Sequence, residues 1–470
     1  MGSEGSDVPG SEVRSPGTNP EPGTPRNPGT PRELRSTPFV SSSPTSPPAD
    51  ADAPRRWFDR VAGALAHRNF RLLWIAALGS TIGTWMQKYA QGLLVYDLTK
   101  SKFYLGMDDF LSQLPILLFM VIGGVIADRH DRRRLLTYSQ YVQAFSAFAL
   151  ALAVWTNSVT VWFIFTMSFI SGCGQAFGGP AYQSLIPSLV PRRDLPNAIA
   201  LNSSQFNLSR VLGPAGGAAV LAVIGTAACF ALNGLSFFFV VVALTMLKLP
   251  PHAPSADRRA LSDELRSGLH YVRDSRLMLT LTLLVTLSTF LAMPILTMLP
   301  AFAAEVLTAG GGTAETRLSM LMASQGLGAI IGALFVGSLS NRKNLGKMLL
   351  FVQTGLGVLI AAFAMSTSLP LSLVLLFVGG MFFMGLFSIS FSIVQLMVPD
   401  ALRGRVVSIY MVALRGGGPI GGLFAGALAD TFSASSVMAV NGLLLALISA
   451  SILVFKRGSA LTASTAGDVS

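Results

Sequence analysis

Two cysteines and four histidines in 470 residues leave little material for a disulfide framework or a metal centre. Cys173 and Cys229 each fall inside an apolar stretch, where a thiol packs as a small hydrophobe. The histidines are scattered. No His-Glu-x-x-His, Walker A or Gly-x-Ser-x-Gly string occurs, which argues against a metalloprotease, an ATP-driven pump and a serine hydrolase. Charge is scarce as well: 12% of residues are Asp, Glu, Lys or Arg against 51% hydrophobic, and mean hydropathy is +0.57. A soluble core has no use for so much apolar surface.

What the chain has instead is apolar segments of about 20 residues or more, enough to cross a bilayer. Twelve are read, near 70–96, 103–127, 134–156, 159–187, 203–224, 226–248, 278–304, 317–340, 346–367, 370–397, 408–430 and 434–455. The fold class expected is an all-α membrane protein of twelve transmembrane helices in two six-helix bundles. Residues 1–66 form a Pro, Ser, Gly and Thr-rich tail expected to be disordered, with no apolar signal region. The bundles are expected at 67–248 and 278–457, joined by a linker at 249–277 and followed by a short tail at 458–470.

A formal charge of +11 invites a nucleic-acid reading, but the charge is sorted along the chain. Alternate connections carry Arg129 and Arg132 to Arg134, Arg192 and Arg193, Arg258 to Arg276, Arg342 to Lys347, Arg403 and Arg405, and Lys456 and Arg457. The other connections hold Lys100, Lys102 and Arg317. By the positive-inside rule both termini are cytoplasmic. The partners implied are lipids and a small molecule, not nucleic acid, with a monomer as the expected state. In the linker, Leu261, Leu265, Leu269 and Val272 share one helical face. This reads either as an amphipathic helix on the inner membrane surface or as a tether.

Arg-x-x-Gly-Pro-x-Gly-Gly occurs twice, as Arg210, Gly213, Pro214, Gly216 and Gly217, and 205 residues later as Arg415, Gly418, Pro419, Gly421 and Gly422. Recurrence inside two apolar segments indicates a duplicated membrane half. Paired repeats are the architecture of secondary transporters, which bind substrate between the halves and rock one against the other.

The second span ends in Gly124-x-x-x-Asp128-Arg129, followed by Arg132 to Arg134. This resembles the major facilitator superfamily, which carries such a signature between its second and third helices. Further strings sharpen the resemblance: Asn69 to Trp74, Gly83 to Gln87, Val95 to Thr99, Pro180, Ile186-Pro187, Phe206 to Pro214, and Leu402 to Arg405. The chain from 67 to 457 is similar to the bacterial branch of transmembrane secretion effectors, which includes the enterobactin exporter. Gly213, Pro214 and Gly217, repeated as Gly418, Pro419 and Gly422, resemble a fifth-helix motif associated with antiporters. The fourth span lacks the buried arginine of many proton-linked exporters, so proton coupling would use other groups.

The resemblance implies that the second helix meets the eleventh and the eighth meets the fifth. Asp128 then pairs with Arg415, and Asn341, in Gly337-x-x-x-Asn341-Arg342, faces Arg210. Gly124, Asp128, Arg129, Arg132, Arg210, Asn341, Arg342 and Arg415 would form a cytoplasmic latch. The alternative is that both mid-span arginines snorkel to head groups. Lys88, Asp108 and Asp109 share one depth and are candidate proton-coupling groups, or else a static ion pair. A coupled proton would supply about 1.4 kcal/mol per pH unit and about 2.3 kcal/mol per 100 mV. The path, lined in this superfamily by the first, fourth, seventh and tenth helices, offers Trp85, Gln87, Tyr89, Gln175, Tyr182, Met293, Phe383, Phe387 and Gln395. Aromatic and methionine surfaces suit varied apolar ligands. The function expected is proton-driven efflux of a small amphipathic compound, drug-like or siderophore, without cofactor or metal. Import or lipid flipping on the same scaffold is the alternative, and a non-transporting receptor the reading from another class.

Overall fold

The computed structural model describes residues 63–247, 261–339, 344–399 and 402–455, and these are almost wholly helical. In the first half, α1 is Arg68–Thr99, α2 Lys102–Arg129, α3 Arg132–Trp155, α4 Val161–Leu189, α5 Leu195–Val223 and α6 Thr226–Met246. A short α7, Leu261–Asp274, precedes the second half. There α8 is Arg276–Val306, α9 Ala314–Leu339, α10 Leu345–Met365, α11 Leu369–Met397, α12 Arg403–Phe432 and α13 Ala434–Phe455. Among the described residues nine helices are both long and apolar enough to cross a membrane. The other three, α1 to α3, have the length, at 32, 28 and 24 residues, and α1 carries Lys88 and α2 Asp108 and Asp109 along it.

Two spans differ instructively from the hydropathy reading. α5 begins at Leu195 rather than near 203, with Pro196 in its first turn, and runs through Asn197, Asn202, Ser203 and Ser204 before turning apolar. That polar opening is anchored: Asn197 Oδ1 accepts from Ala64 N at 2.9 Å, and Asp194 beside it bonds His67 at 2.9 Å. α8 is interrupted after Ala292, because Pro294 offers no N–H, and it closes in a π-turn at Phe302–Val306. The tight α5–α6 connection is explained by Gly225, whose φ of 101° a side chain would oppose.

The packing diagram repeats. In the first half α1 lies on α5 and α6, α2 and α3 lie on α4, and α3 lies on α6. In the second, α8 lies on α12 and α13, α9 and α10 on α11, and α10 on α13. The halves meet through α2 with α12 and α5 with α9, two contacts that the same exchange of halves converts into one another. This is a two-fold pseudo-symmetric pair of six-helix bundles. The motif glycines allow the close approach on which it depends. A Cβ at Gly213 would overlap Trp85 Cβ, and one at Gly421 would overlap the Phe290 carbonyl.

The bundle has two ends. The tail end holds Arg68 and α7, and the far end holds Thr99, Lys102, Val306 and Asp430. At the far end α2 and α12 touch backbone to backbone, Gly106 against Gly422 and Gly426 against Lys102. Midway, Leu117 stands 3.5 Å from the Cβ position of Gly416. Towards the tail end, added Cβ atoms at Gly124 and Gly404 would meet nothing within 4 Å.

The linker forms the helix its periodicity indicated, but part of it docks on protein. Gly268 sits against Ile409 and Arg405, Arg405 Nη1 donates to Ser267 Oγ at 3.0 Å, and Val272 is buried. Leu269 remains 59% exposed, while the side chains of Leu261 and Leu265 lie outside the described residues, as do both tails beyond 63 and 455.

Candidate functional site

The middle of the first half holds a polar chain drawn from four helices. Asn233 Nδ2 on α6 donates to Gln87 Oε1 at 2.7 Å, and Gln87 Nε2 donates to Gln91 Oε1, one turn along α1, at 3.2 Å. Gln91 Nε2 in turn reaches both carboxylate oxygens of Asp108 on α2, at 2.9 and 2.8 Å. Ser168 Oγ on α4 donates to Asp108 Oδ1 at 2.6 Å. Gln91 and Ser168 are themselves buried. Among the described residues, the hydrogen-bond donors to Asp108 are neutral.

Its neighbour is in a different setting. Lys88 Nζ bonds Asp109 Oδ1 at 3.0 Å, and the lysine side chain is 55% exposed against 17% for Asp109. Consecutive residues point about 100° apart on a helix. One carboxylate thus turns into the half and its neighbour to the lysine. Lys88 also stands 5.8 Å from the Trp85 ring, and Arg210 stands 5.4 Å from the same ring. Trp85 meets Phe206 edge-on at 6.0 Å.

The candidate path residues divide into two groups. Trp85 is half-buried in this cluster, Gln175 and Gln395 are exposed, and Met293 borders Gly418 at the break in α8. Phe387 is half-buried. Three of the others are engaged elsewhere. Tyr89 is buried, packs on Gly217 and donates its hydroxyl to the Glu315 carbonyl at 2.8 Å, a bond that joins the two halves. Tyr182 donates to Asn202 Oδ1 at 2.9 Å, and Phe383 is buried in the second half. Gln87 belongs to the polar chain above.

The latch residues also separate. Arg210 Nη2 donates to Gln325 Oε1 on α9 at 2.6 Å, where the sequence reading paired it with Asn341. Asn341 and Arg342 lie outside the described residues, as do the side chains of Asp128 and Arg129. Arg132 Nη1 donates to the Ser184 carbonyl at 3.0 Å. Arg415 is exposed at the middle of α12, next to Gly416, which faces Leu117 of α2. From residue 117 to residue 128 is about 16 Å of helix at 1.5 Å per residue. The register of α2 on α12 sets residue 128 towards the start of α12, and the Asp128 side chain that would pair with Arg415 lies outside the described residues.

Sequence reasoning missed Gln91, Ser168, Asn233 and Gln325. Only Gln91 carried a signal, lying one turn after Gln87 on the helix that bears Lys88. It also missed a second cluster at the far end. Glu305, on the π-turn of α8, accepts from Lys102 Nζ at 2.7 Å and from the Tyr96 hydroxyl. Asp430 near the end of α12 accepts from the backbone of Lys102 at 2.6 Å and of Phe103 at 3.2 Å, and from the Ser101 hydroxyl. Arg317 is buried and donates to the carbonyls of Ala303, Gly311 and Gly312 at 2.8, 3.0 and 2.7 Å, holding the π-turn and its loop in place.

Comparison with known proteins gives this arrangement a context. Residues 61–466 match the family described as transmembrane secretion effector. Macrolide efflux protein A of Streptococcus pyogenes is 25% identical over 385 residues, covering 80% of this chain and 93% of that one. Enterobactin exporter EntS of Escherichia coli is 23% identical over 398 residues, covering 85% and 94%. Among solved structures, the nucleoside transporter NupG superposes with a TM-score of 0.68 at 13% identity, over 82% of this chain and 100% of that one.

Proposed function

The chain belongs to the transmembrane secretion effector family of major facilitator transporters, and we propose that it exports a small amphipathic compound in exchange for protons. It is a membrane transporter and not an enzyme; the direction, the coupling ion and the substrate class are our reading. Export is supported by relatives whose names describe efflux of a macrolide and export of a siderophore. The sorting of basic residues to the tail end supports a cytoplasmic tail end. On that orientation the far end, where Gly106 meets Gly422 and Gly426 meets Lys102, is extracellular and closed, the side an exporter keeps shut while it loads.

One observation carries the proton assignment: Asp108 is a carboxylate inside a membrane span whose hydrogen-bond partners among the described residues are Gln91 and Ser168, while the nearby Lys88 is bonded to Asp109. A carboxylate bonded to neutral donors in a low-dielectric bundle lacks a directly bonded cation, and taking up a proton reduces the cost of burying its charge. When ionised it uses the donors of Gln91 and Ser168, and when protonated it donates its own O–H. It can therefore exchange a proton without dismantling the network. Asp109, already neutralised by Lys88, has less to gain. The polar chain back to Asn233 fixes the orientation of Gln91 and therefore of the acceptor.

The test is transport in everted membrane vesicles under an imposed pH gradient, across a panel of amphipathic dyes, macrolides and catechol siderophores. The expected result is gradient-driven accumulation that Asp108→Asn abolishes and Asp109→Asn retains, with both variants inserted at the original level. Transport that survives Asp108→Asn undiminished overturns the assignment. Gradient-driven loss of compound from the vesicles would establish import.

A further inference from the structure

We infer that Asp430 is the gate residue of the far end, holding the two halves closed by capping a helix that belongs to the other half. The first N–H groups of any helix lack intrahelical acceptors and are ordinarily capped by the residue just before it. Ser101 stands at that position on α2, yet its side chain makes no capping bond and its hydroxyl turns to Asp430. The α2 N–H groups of Lys102 and Phe103 are instead satisfied by Asp430, more than 300 residues away on α12. A carboxylate at a helix N-terminus also meets the positive end of the helix dipole.

The device stands on one of two pseudo-equivalent sites. At the start of α9, the counterpart of α2, the cap is local: Thr313 Oγ1 accepts from Thr316 N at 3.3 Å. The residue 205 positions before Asp430 is Gly225, which has no side chain to offer. Beside Asp430, Glu305 bridges to Lys102 and Tyr96, and Gly426 brings the α12 backbone onto Lys102. Arg317 stiffens the π-turn that presents Glu305. Separating the halves at this end uncaps α2 and exposes two backbone donors, so the closed state is favoured until that contact is replaced by water. This holds whichever way substrate moves and whatever ion drives it.

The test measures conformation, not flux. In full-length protein with Cys173 and Cys229 replaced by serine, spin labels at Ser158→Cys and Thr367→Cys report the distance between the far-end rims of the two halves in lipid nanodiscs. Asp430→Ala should move the population towards the longer distance by about fivefold, the equilibrium equivalent of losing one helix cap. Asp430→Asn, whose single amide oxygen can still accept from one of the two backbone N–H groups, should shift the population clearly less than alanine does. Glu305→Ala should shift the population in the same direction by less. An unchanged distribution in Asp430→Ala, with thermal unfolding confirming a folded protein, overturns the inference. Equal shifts in the alanine and asparagine variants overturn it too, because they would assign the effect to charge and not to capping.

Discussion

The two halves share one packing skeleton and differ in what they enclose. The first half carries Asp108, Asp109, Lys88 and a run of amides between α1, α2, α4 and α6. In the second half two interior polar contacts are neutral pairs, Gln353 with Ser288 at 2.9 Å and Tyr410 with Ser390 at 2.6 Å, and the buried Arg317 donates to backbone carbonyls at the far end. The repeated motif shows the same divergence at finer scale. Arg210 is bonded across the interface and rests over Trp85, whereas Arg415 has no hydrogen bond or ion pair among the described residues. Duplication preserved the shape of the membrane half, and the ionisable chemistry is concentrated in one copy.

The largest effect expected from breaking this comparison is at the glycines. Gly216 and Gly421 are the same motif position, but a Cβ at Gly216 would lie 3.7 Å from the flexible end of Met86, while one at Gly421 would overlap a backbone carbonyl. Gly216→Ala should leave the melting temperature in detergent unchanged or raise it. Gly421→Ala should destabilise by about 1–3 kcal/mol, or prevent recovery of a monodisperse protein by size-exclusion chromatography.

Next in size is the arginine pair. Arg210→Gln loses a charge-assisted hydrogen bond and a cation–π contact, each worth about 0.5–3 kcal/mol, and should lower thermal stability. Arg415→Gln should not lower it. The same melting assay decides the question, and equal losses would mean that the two copies act alike.

The smallest effect concerns Lys88 and Asp109. Because the lysine is more than half exposed, the pair contributes little, about 0–1 kcal/mol. Lys88→Met combined with Asp109→Asn should be no less stable than either single variant, which a double-mutant cycle on melting temperature would measure. A coupling well beyond that range would show the pair to be as structural as the amide chain beside it.

The helices were legible because a membrane span is written locally, in some twenty consecutive residues. α13 begins and ends where hydropathy put it, and α5 does not, because its first turns are polar and anchored by Ala64 and Asp194. The meeting of α2 with α12 and of α5 with α9 was legible through the superfamily resemblance. The register along those pairs was not. Which residue of α2 stands opposite Arg415 depends on the contact of Gly106 with Gly422, a property of two distant segments at once. The same limit hid the partners of Asp108. Gln91 and Ser168 are ordinary polar residues until three helices bring them to one carboxylate.

The far-end contact has a genetic consequence. Two of the groups that Asp430 grips are main-chain amides, which any residue other than proline supplies, so the α2 side of the bond is insensitive to most substitutions. Changes that weaken it by removing a partner must arise mainly on α12. A selection for revertants of Asp430→Ala should therefore return restored carboxylates, amides or hydroxyls at position 430, or second-site changes around Glu305 and Arg317. Single replacements at Lys102 or Phe103 that recreate the lost bond should be absent, because those positions never contributed a side chain to it.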